Sequence, residues 1–375
     1  MLILDAHLDL SWNALGWNRD LDQTVAEIRL SESGMDGKAR GKNTVSLPDM
    51  RRGEIGIALA TLLARCNRNG RSSLDYRTQE IACAIAQGQL AYYRLLERRG
   101  ECELLLDWPS LQKSFSMWEH GSEDAPFGFI LSMEGADPIL SPRHAEEWYR
   151  AGLRVVGLAH YGPSAYAQGT GCKGGLTAPG RELLRVMEEL NLILDLTHLA
   201  DESFWEAIRQ FRGPVLASHN NCRALTPGDR QFDDDQIRSI IERDGVIGAP
   251  FDAWMMVPDW TGDRTKSPQV TLDSAINHID HICQLAGDAR HVAIGSDLDG
   301  GFGTEQSPED LDTIADLQML GPRLKKRGYT EADISGIFHG NWLRLFERAW
   351  NTTSPATNLS ESSSSSQKQP PIPPR

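Results

Sequence analysis

Short apolar segments alternate with longer amphipathic segments along most of this chain. Eight of the apolar segments are five to eight residues long, which is the usual length of a β-strand. Most are apolar at nearly every position, a pattern typical of parallel strands buried on both faces. The predicted strands are Leu2–His7, Ile55–Leu62, Phe127–Met133, Val155–His160, Leu192–His198, Val215–His219, Val246–Pro250 and Val292–Asp297.

Between and after these strands, apolar residues recur at helical spacing. Eight strands that alternate with helices predict an α/β fold, a (β/α)8 TIM-type barrel. An open doubly wound sheet is the alternative, although no Gly-rich nucleotide-binding run follows an early strand. The predicted helices are Arg77–Arg98, Leu176–Leu190, Ser203–Arg212, Asp234–Arg243, Leu272–Ala286, Pro308–Lys326 and Glu331–Trp350.

Two segments do not fit this repeat. Trp12–Thr44 is a long polar stretch after the first strand, and we expect a loop insertion there. Residues 351–375 contain a serine run and a proline-rich end. Because this composition cannot bury a core, we expect a disordered Ser/Pro-rich tail. The predicted organisation is one barrel domain over residues 1–350 followed by that tail.

Composition narrows the partners and the compartment. The 375 residues carry a formal net charge of −14. This charge argues against nucleic acid and an anionic membrane surface as partners, because both require a basic face. We find no signal peptide and no apolar stretch long enough to span a membrane. The six cysteines form no C-x-x-C pair and are expected to be free thiols, so we expect a cytoplasmic protein.

Polar residues with metal-binding chemistry follow several predicted strands. His7 and Asp9 lie two positions apart on an extended segment, so both side chains can point to the same face. In a barrel, the carboxyl ends of all the strands meet at one rim, where active sites are found. The residues expected at that rim are His7, Asp9, Glu134, His160, His198, His219 and Asp297.

This set offers more ligands than one tetrahedral zinc ion needs. It suffices for two metal ions if Glu134 bridges them. Asp297 would then accept and donate a proton, and His160 would polarise a carbonyl oxygen. The proposed metal ligands are His7, Asp9, Glu134, His198 and His219.

At this point the residues match a known family. The chain resembles the renal or membrane dipeptidases, the zinc dipeptidases of the amidohydrolase superfamily, from Met1 to about Trp350. Any one of the shared motifs is weak, but their order and spacing together are specific. The motifs are DAHLD at 5–9, SLPDMRRGEIG at 46–56, MEGADP at 133–138, GLR at 152–154, DLTH at 195–198, ASHN at 217–220, IGSDLDG at 294–300 and GNWLR at 340–344.

The resemblance implies a metallohydrolase domain that cleaves the peptide bond of dipeptides with a hydroxide bridging two zinc ions. His7 and Asp9 would hold one zinc ion, His198 and His219 the other, and Glu134 would bridge. The substrate would be a small dipeptide, and the family also suggests a homodimer.

The resemblance assigns three further roles. His160 would contact the scissile carbonyl or its tetrahedral intermediate, and Asp297 would carry the proton to the leaving amine. Arg230 matches the arginine that grips the substrate's C-terminal carboxylate, a task that suits a guanidinium fork. Arg223 is a nearby competitor for this role.

The sequence departs from the family pattern near the substrate. Leu158-Ala159-His160 replaces the usual Leu-Thr-His, and the following loop, 161–166, lacks the usual asparagine. These changes leave the metal ligands intact but put the preferred substrate in doubt. One alternative is therefore a two-metal amidohydrolase that acts on N-acyl amino acids or cyclic amides. Another is a non-catalytic metal-binding homologue.

Several other polar residues lie near the predicted site. Asp195 and Asp299 are possible partners for the ring N–H of a metal-bound histidine. Asp5 has two equally open roles, as such a partner or as a strand-end cap. His278 and His281 share one helical face away from the rim, and we expect both to be surface side chains.

Overall fold

The computed structural model describes residues 1–67, 70, 74–121 and 124–351. The predicted disordered tail lies outside the described residues except for Asn351, which ends the last helix. Eleven strands lie in the described part of the chain. They are β1 (Ile3–Leu8), β2 (Ile55–Leu63), β3 (Arg65–Cys66), β4 (Asp75–Tyr76), β5 (Cys102–Leu104), β6 (Phe127–Glu134), β7 (Leu153–Gly157), β8 (Ile193–Asp195), β9 (Val215–Leu216), β10 (Ile247–Ala249) and β11 (Val292–Ile294).

Eight of these strands confirm the predicted α/β barrel. Strands β1, β2, β6, β7, β8 and β9 form one continuous parallel sheet in that order. A parallel bridge between Ala217 and Ile247 carries the sheet to β10, which pairs with β11. β11 lies next to the start of the chain, where the Ser296 backbone N–H donates to Asp5 Oδ1 at 2.8 Å.

Close approach of β9, β10 and β11 requires glycine. A Cβ on Gly248 would lie 1.9 Å from the Ser218 carbonyl oxygen, and one on Gly295 would lie 1.8 Å from the same atom. Real atoms cannot approach so closely, so the sequence can curl this side of the barrel only with hydrogen at both positions.

The predicted ends of the later strands are wrong. Strands β7, β8, β9 and β11 each end three residues before the polar residue that the sequence placed at their ends. In β8 the cause is visible, because Asp195 Oδ1 accepts from the backbone N–H groups of Thr197 and Ser218 at 3.0 and 3.1 Å. A side chain thus takes the place of the next backbone partner, and the chain turns away.

The helices that pack around the sheet largely follow the predicted spacing. The predicted segment Leu272–Ala286 forms one helix with the same ends. The α-helices are α1 (Leu10–Gly16), α2 (Val25–Ser31), α3 (Leu47–Arg52), α4 (Gln79–Arg98), α5 (Trp108–Glu119), α6 (Ala145–Arg150), α7 (Ala178–Glu189), α8 (Asp201–Gln210), α9 (Asp234–Glu242), α10 (Ala253–Met256), α11 (Leu272–Ala286), α12 (Leu320–Lys326), α13 (Glu331–Ser335) and α14 (Asn341–Asn351).

The insertion after β1 is more ordered than a loop. It contains most of α1 and all of α2, whose N-terminus is fixed by a capping box between Thr24 and Glu27. Short 3-10 helices cover Pro142–His144 and Ile314–Met319. The predicted helix Pro308–Lys326 is therefore α-helical only over Leu320–Lys326.

The last helical segment closes the fold. A π-helical turn at Gly336–Gly340 separates α13 from α14. In α14, Trp342 Nε1 donates to the Ile294 carbonyl oxygen at 2.9 Å and fixes the end of β11. None of the helices in the described part of the chain combines the length and apolar character that a bilayer span requires.

Candidate metal centre

The structure brings the predicted rim residues together at the carboxyl ends of the strands. Their origins differ. His7 lies within β1, Asp9 follows it directly, and Glu134 is the last residue of β6. The others each lie three residues beyond a strand: His160 after β7, His198 after β8, His219 after β9 and Asp297 after β11.

The Glu134 carboxylate lies at the centre of this cluster, with its two oxygens facing different residues. Oε1 lies 3.0 Å from His198 Nε2 and 3.3 Å from His219 Nε2. Oε2 lies 3.7 Å from His7 Nε2. One carboxylate thus faces imidazoles on two sides, as a bridging ligand must.

On the other side of His7 lie two more carboxylates. His7 Nε2 is 3.8 Å from Asp9 Oδ2 and 3.9 Å from Asp297 Oδ1. His7 Nε2 and Asp9 Oδ1 are buried and have no hydrogen-bond partner among the described residues. Buried polar atoms are rarely left unpaired, so both atoms are free to bind a cation.

The partners of His219 fix its ring tautomer. Ser218 Oγ donates to Asp195 Oδ2 at 2.5 Å and lies 2.8 Å from His219 Nδ1. Because the serine proton is used for the carboxylate, the hydroxyl accepts from Nδ1–H. His219 Nε2 then carries a lone pair, and Asp195 acts on the histidine through Ser218.

His198 has the same tautomer as His219. The Thr170 hydroxyl can donate to the His198 carbonyl oxygen at 3.2 Å. Its oxygen lies 3.1 Å from His198 Nδ1 and can accept a hydrogen bond from the N–H there. His198 Nε2 therefore also carries a lone pair, and it lies only 3.2 Å from His219 Nε2. Two lone pairs at this distance repel each other unless a cation lies beside them.

His160 has the opposite tautomer. The Arg65 guanidinium, which can only donate, lies 3.1 Å from His160 Nδ1. The ring proton is therefore on Nε2, which lies 3.5 Å from Glu134 Oε1. Arg65 was not among the predicted site residues; it is the first residue of β3, two positions beyond the end of β2, and has no motif of its own.

The charges of the cluster also indicate a cation site. Burial raises the pKa of Glu134 to about 7 and, with the help of Glu134, raises that of Asp297 well above its usual range. Burial alone would lower the pKa of His7, but Glu134, Asp9 and Asp297 raise it to about 10. The carboxylates thus compete for protons, and a divalent cation would supply the missing positive charge.

Three overlapping groups in the described residues could each hold a metal ion. The ligand atoms of each group lie within 4.8 Å of one another. The groups are His7, Glu134 and His219; Glu134, His160 and His198; and His7, Asp9 and Asp297.

A cavity of about 220 Å³ opens onto this cluster. Arg230 lines it and is only 3% exposed, whereas Arg223 pairs with Asp201 at 2.7 Å, outside the cavity lining. Several residues that the sequence analysis did not connect with the site also line the cavity, together with Tyr161 of the loop that follows His160. They are Trp12, Arg65, Leu74, Asp252 and Met255.

The structure decides one open secondary assignment and changes two others. Asp5 accepts from the backbone N–H groups of His7 and Ser296, which is a strand-end role. Asp299 accepts from the backbone N–H groups of Thr44 and Val45, at the end of the insertion, rather than from a histidine ring. His278 is fully buried, so the expectation of a surface side chain is wrong for it.

Comparison with known proteins identifies the family of the chain. The model of the membrane dipeptidase family, peptidase family M19, matches residues 1–360. An uncharacterized dipeptidase of Schizosaccharomyces pombe is 27% identical over 318 residues, covering 81% of this chain and 72% of the relative. The dipeptidase aclJ of Aspergillus oryzae is 26% identical over 309 residues, covering 80% of this chain and 69% of the relative.

Solved structures share the fold. A metallopeptidase from Rhodobacter sphaeroides, crystallised with a phosphinate mimic of the dipeptide L-Ala-D-Ala, superposes with a TM-score of 0.74 at 23% identity. The similarity covers 93% of this chain and 99% of the other. The chain belongs to the membrane dipeptidase family, peptidase family M19, and is a metal-dependent dipeptidase that hydrolyses peptide bonds.

Proposed function

We propose that this enzyme hydrolyses dipeptides with two zinc ions per chain. His7 and Asp9 would hold one ion, His198 and His219 the other, and Glu134 would bridge them. The observation that carries the proposal is the pair of buried Nε2 lone pairs on His198 and His219, 3.2 Å apart. Both point at the same carboxylate oxygen, Glu134 Oε1.

The donor types favour zinc. Imidazole nitrogen and carboxylate oxygen are its usual ligands in catalytic sites, and the chain presents both. The overlapping groups around Glu134 favour two ions over one. When bound, zinc would polarise the substrate carbonyl and lower the pKa of a bound water to about 7.

Asp297 would move the proton. Its Oδ1 lies 3.9 Å from His7 Nε2, beside the proposed ligands, and the side chain lines the cavity. There the carboxylate can accept a proton from the attacking water and deliver it to the leaving amine.

His160 would hold the carbonyl oxygen. Burial, and to a smaller extent the positive charge of Arg65, lowers the pKa of His160 well below the usual range, so the ring is neutral. Its Nε2–H can donate to the carbonyl oxygen as negative charge develops there. Arg65 keeps the proton on that nitrogen by donating to Nδ1.

Arg230 would bind the C-terminal carboxylate of the dipeptide. Its guanidinium donates to Asn220 Oδ1 at 2.7 Å and to the His219 carbonyl oxygen at 2.9 Å. These bonds fix the plane of the group in the cavity wall and leave other N–H donors for a carboxylate.

Metal analysis combined with substrate kinetics tests the proposal. We expect about two zinc ions per chain after mild purification, and hydrolysis of free dipeptides but not of dipeptide amides. Arg230→Ala should raise KM chiefly, with Arg223→Ala as the matched control outside the cavity. Metal-free active protein, or equal cleavage of the amides, would contradict the proposal.

Two further predictions accompany this function. No disulfide joins any of the six cysteines, all of which lie in the described residues, and this supports residence in a reducing compartment such as the cytoplasm. Cell fractionation tests this location. The homodimer implied by the family stays a prediction, which light scattering of the purified protein tests.

A further inference from the structure

The proposed function leaves one chemically active rim position unused. Asp252 lies three residues beyond β10, as His160, His198, His219 and Asp297 lie three residues beyond their own strands. Its side chain lines the same cavity. The architecture thus presents Asp252 to the substrate in the same way as the proposed catalytic residues.

The Asp252 carboxylate is buried and bound only by neutral donors. It is 6% exposed. Gln306 Nε2 donates to its two oxygens at 2.7 and 2.9 Å, and Trp254 Nε1 donates at 2.6 Å. Within the described residues, no cationic side chain lies within ion-pair distance of it.

This carboxylate is charged at neutral pH. Burial raises its pKa to about 6, and the bond from Gln306 and the charge of Lys38 oppose that rise. Lys38 itself is exposed on the insertion. A buried, ionised carboxylate in a cavity wall without an ion-pair partner provides a binding site for a cation.

The loop that carries Asp252 is tied to the loop that carries Arg230. Gln231 Nε2 donates to the Met255 carbonyl oxygen at 2.9 Å, and Asn221 Nδ2 donates to the same oxygen at 3.2 Å. Asp252 therefore lies on the side of the cavity where Arg230 would hold the substrate's C-terminal carboxylate.

We propose that Asp252 is a specificity-determining residue that forms an ion pair with a basic side chain on the C-terminal residue of the dipeptide. The lysine ammonium or arginine guanidinium of the substrate would supply the positive charge that Asp252 lacks as an ion-pair partner. This inference rests on the proposed function, because the orientation of the dipeptide follows from the role of Arg230.

Four dipeptides test the inference: Ala-Lys, Ala-norleucine, Lys-Ala and norleucine-Ala. Norleucine keeps the apolar stem of lysine without its charge. We expect the zinc-loaded wild-type enzyme to prefer Ala-Lys over Ala-norleucine in kcat/KM by about 10- to 100-fold, the range of a desolvated charge-assisted contact. The kcat/KM values for Lys-Ala and norleucine-Ala should differ much less.

Asp252→Asn should abolish the preference, because it removes the charge and keeps a side chain that can cap α10. The kcat/KM for Ala-Lys should fall much more than the kcat/KM for Ala-norleucine. Asp252→Ser, which also caps helices, is the second variant, and thermal unfolding checks that both fold. Asp229→Asn is the control, because it removes an exposed charge next to Arg230, outside the cavity lining.

Each outcome decides the inference. Loss of the preference in both Asp252 variants, but not in Asp229→Asn, supports it. A wild-type enzyme without the preference, or an Asp252→Asn variant that loses activity equally on all four dipeptides, overturns it while leaving the proposed function intact. Failure to cleave any dipeptide overturns both.

Discussion

The two halves of the barrel place their site residues in different ways. In the first half, β1, β2, β6 and β7 span 6, 9, 8 and 5 residues, and His7 and Glu134 lie within strands, although His160 lies three residues beyond β7. In the second half, β8 to β11 span only 2 or 3 residues. There the site residues lie in turns beyond the ladders.

This difference shows that two kinds of support build one site. Glu134 is paired with Leu63 in the parallel ladder between β2 and β6, whereas the His7 N–H donates to the side chain of Asp5. In the second half, His198 and Asp297 have φ angles of 65° and 57°, a left-handed conformation that is unfavourable for residues with a side chain. Side-chain bonds, such as those of Asp195 and Trp342, hold these turns in place.

Glu134→Gln should have the largest effect, since it removes the carboxylate of the first half that is proposed to bridge the metal ions. We expect zinc content to fall and kcat/KM to fall by about 10,000-fold or more, because metal binding and substrate positioning fail together. Metal analysis and kinetics on a free dipeptide measure both. Normal zinc content in this variant would show that Glu134 is not a ligand.

Asp297→Asn should lower kcat by about 1,000-fold, within the usual range for a lost general acid–base group. Because the change keeps the shape of a residue in a second-half turn, zinc content should stay close to that of the parent. The contrast with Glu134→Gln separates proton transfer from metal binding. An unchanged kcat would assign the proton transfer to another residue.

Gly295→Ala tests the close packing of the second half. The new Cβ would meet the Ser218 carbonyl oxygen at 1.8 Å, and backbone cannot rotate away. We expect a loss of about 3 kcal/mol or more in the free energy of unfolding, at the upper end for overpacking. Gly128→Ala is the control in the first half, where the new atom meets the side chains of Ser114 and Leu105. Urea unfolding measures both free energies. Equal losses in the two variants would show that close backbone packing does not distinguish the second half from the first.

Acid should weaken the second half through His278. Its ring accepts from the Cys222 N–H and contacts the Met256 carbonyl oxygen, joining the segments that follow β9 and β10. Burial lowers the pKa of His278 to about 4. The unfolded chain therefore binds a proton that the folded chain does not, and stability falls as the pH drops from about 6.5 towards 4, by about 2 kcal/mol at pH 5.

His278→Gln should flatten this part of the pH dependence, measured by urea unfolding between pH 7 and 5. His281→Gln is the matched control, since His281 lies one helical turn away and binds Asp234 at 2.7 Å, near the surface. If His281→Gln, and not His278→Gln, flattened the pH dependence of stability, His278 would not be its cause.

The sequence predicted the strands and the rim residues because a buried run followed by a histidine or carboxylate is a local pattern. It overestimated strand ends because Leu158 and Ala159 are apolar yet lie beyond the ladder. Arg65 and Asp252 could not be assigned, since their approach to the site depends on how separate loops fold. His278 could have been recognised as buried, because it shares a helix face with Ala275 and Ile282, which are also buried.

The bond between Asp5 and Ser296 spans 291 positions of the chain and joins the first strand to the last. During synthesis, β1 therefore lacks its contact with the β11 segment until nearly all of the barrel has left the ribosome. The first strand and the segment after the last strand of the barrel contribute His7 and Asp297 to the same site. Metal uptake is accordingly expected late in biogenesis, together with the closing of the sheet.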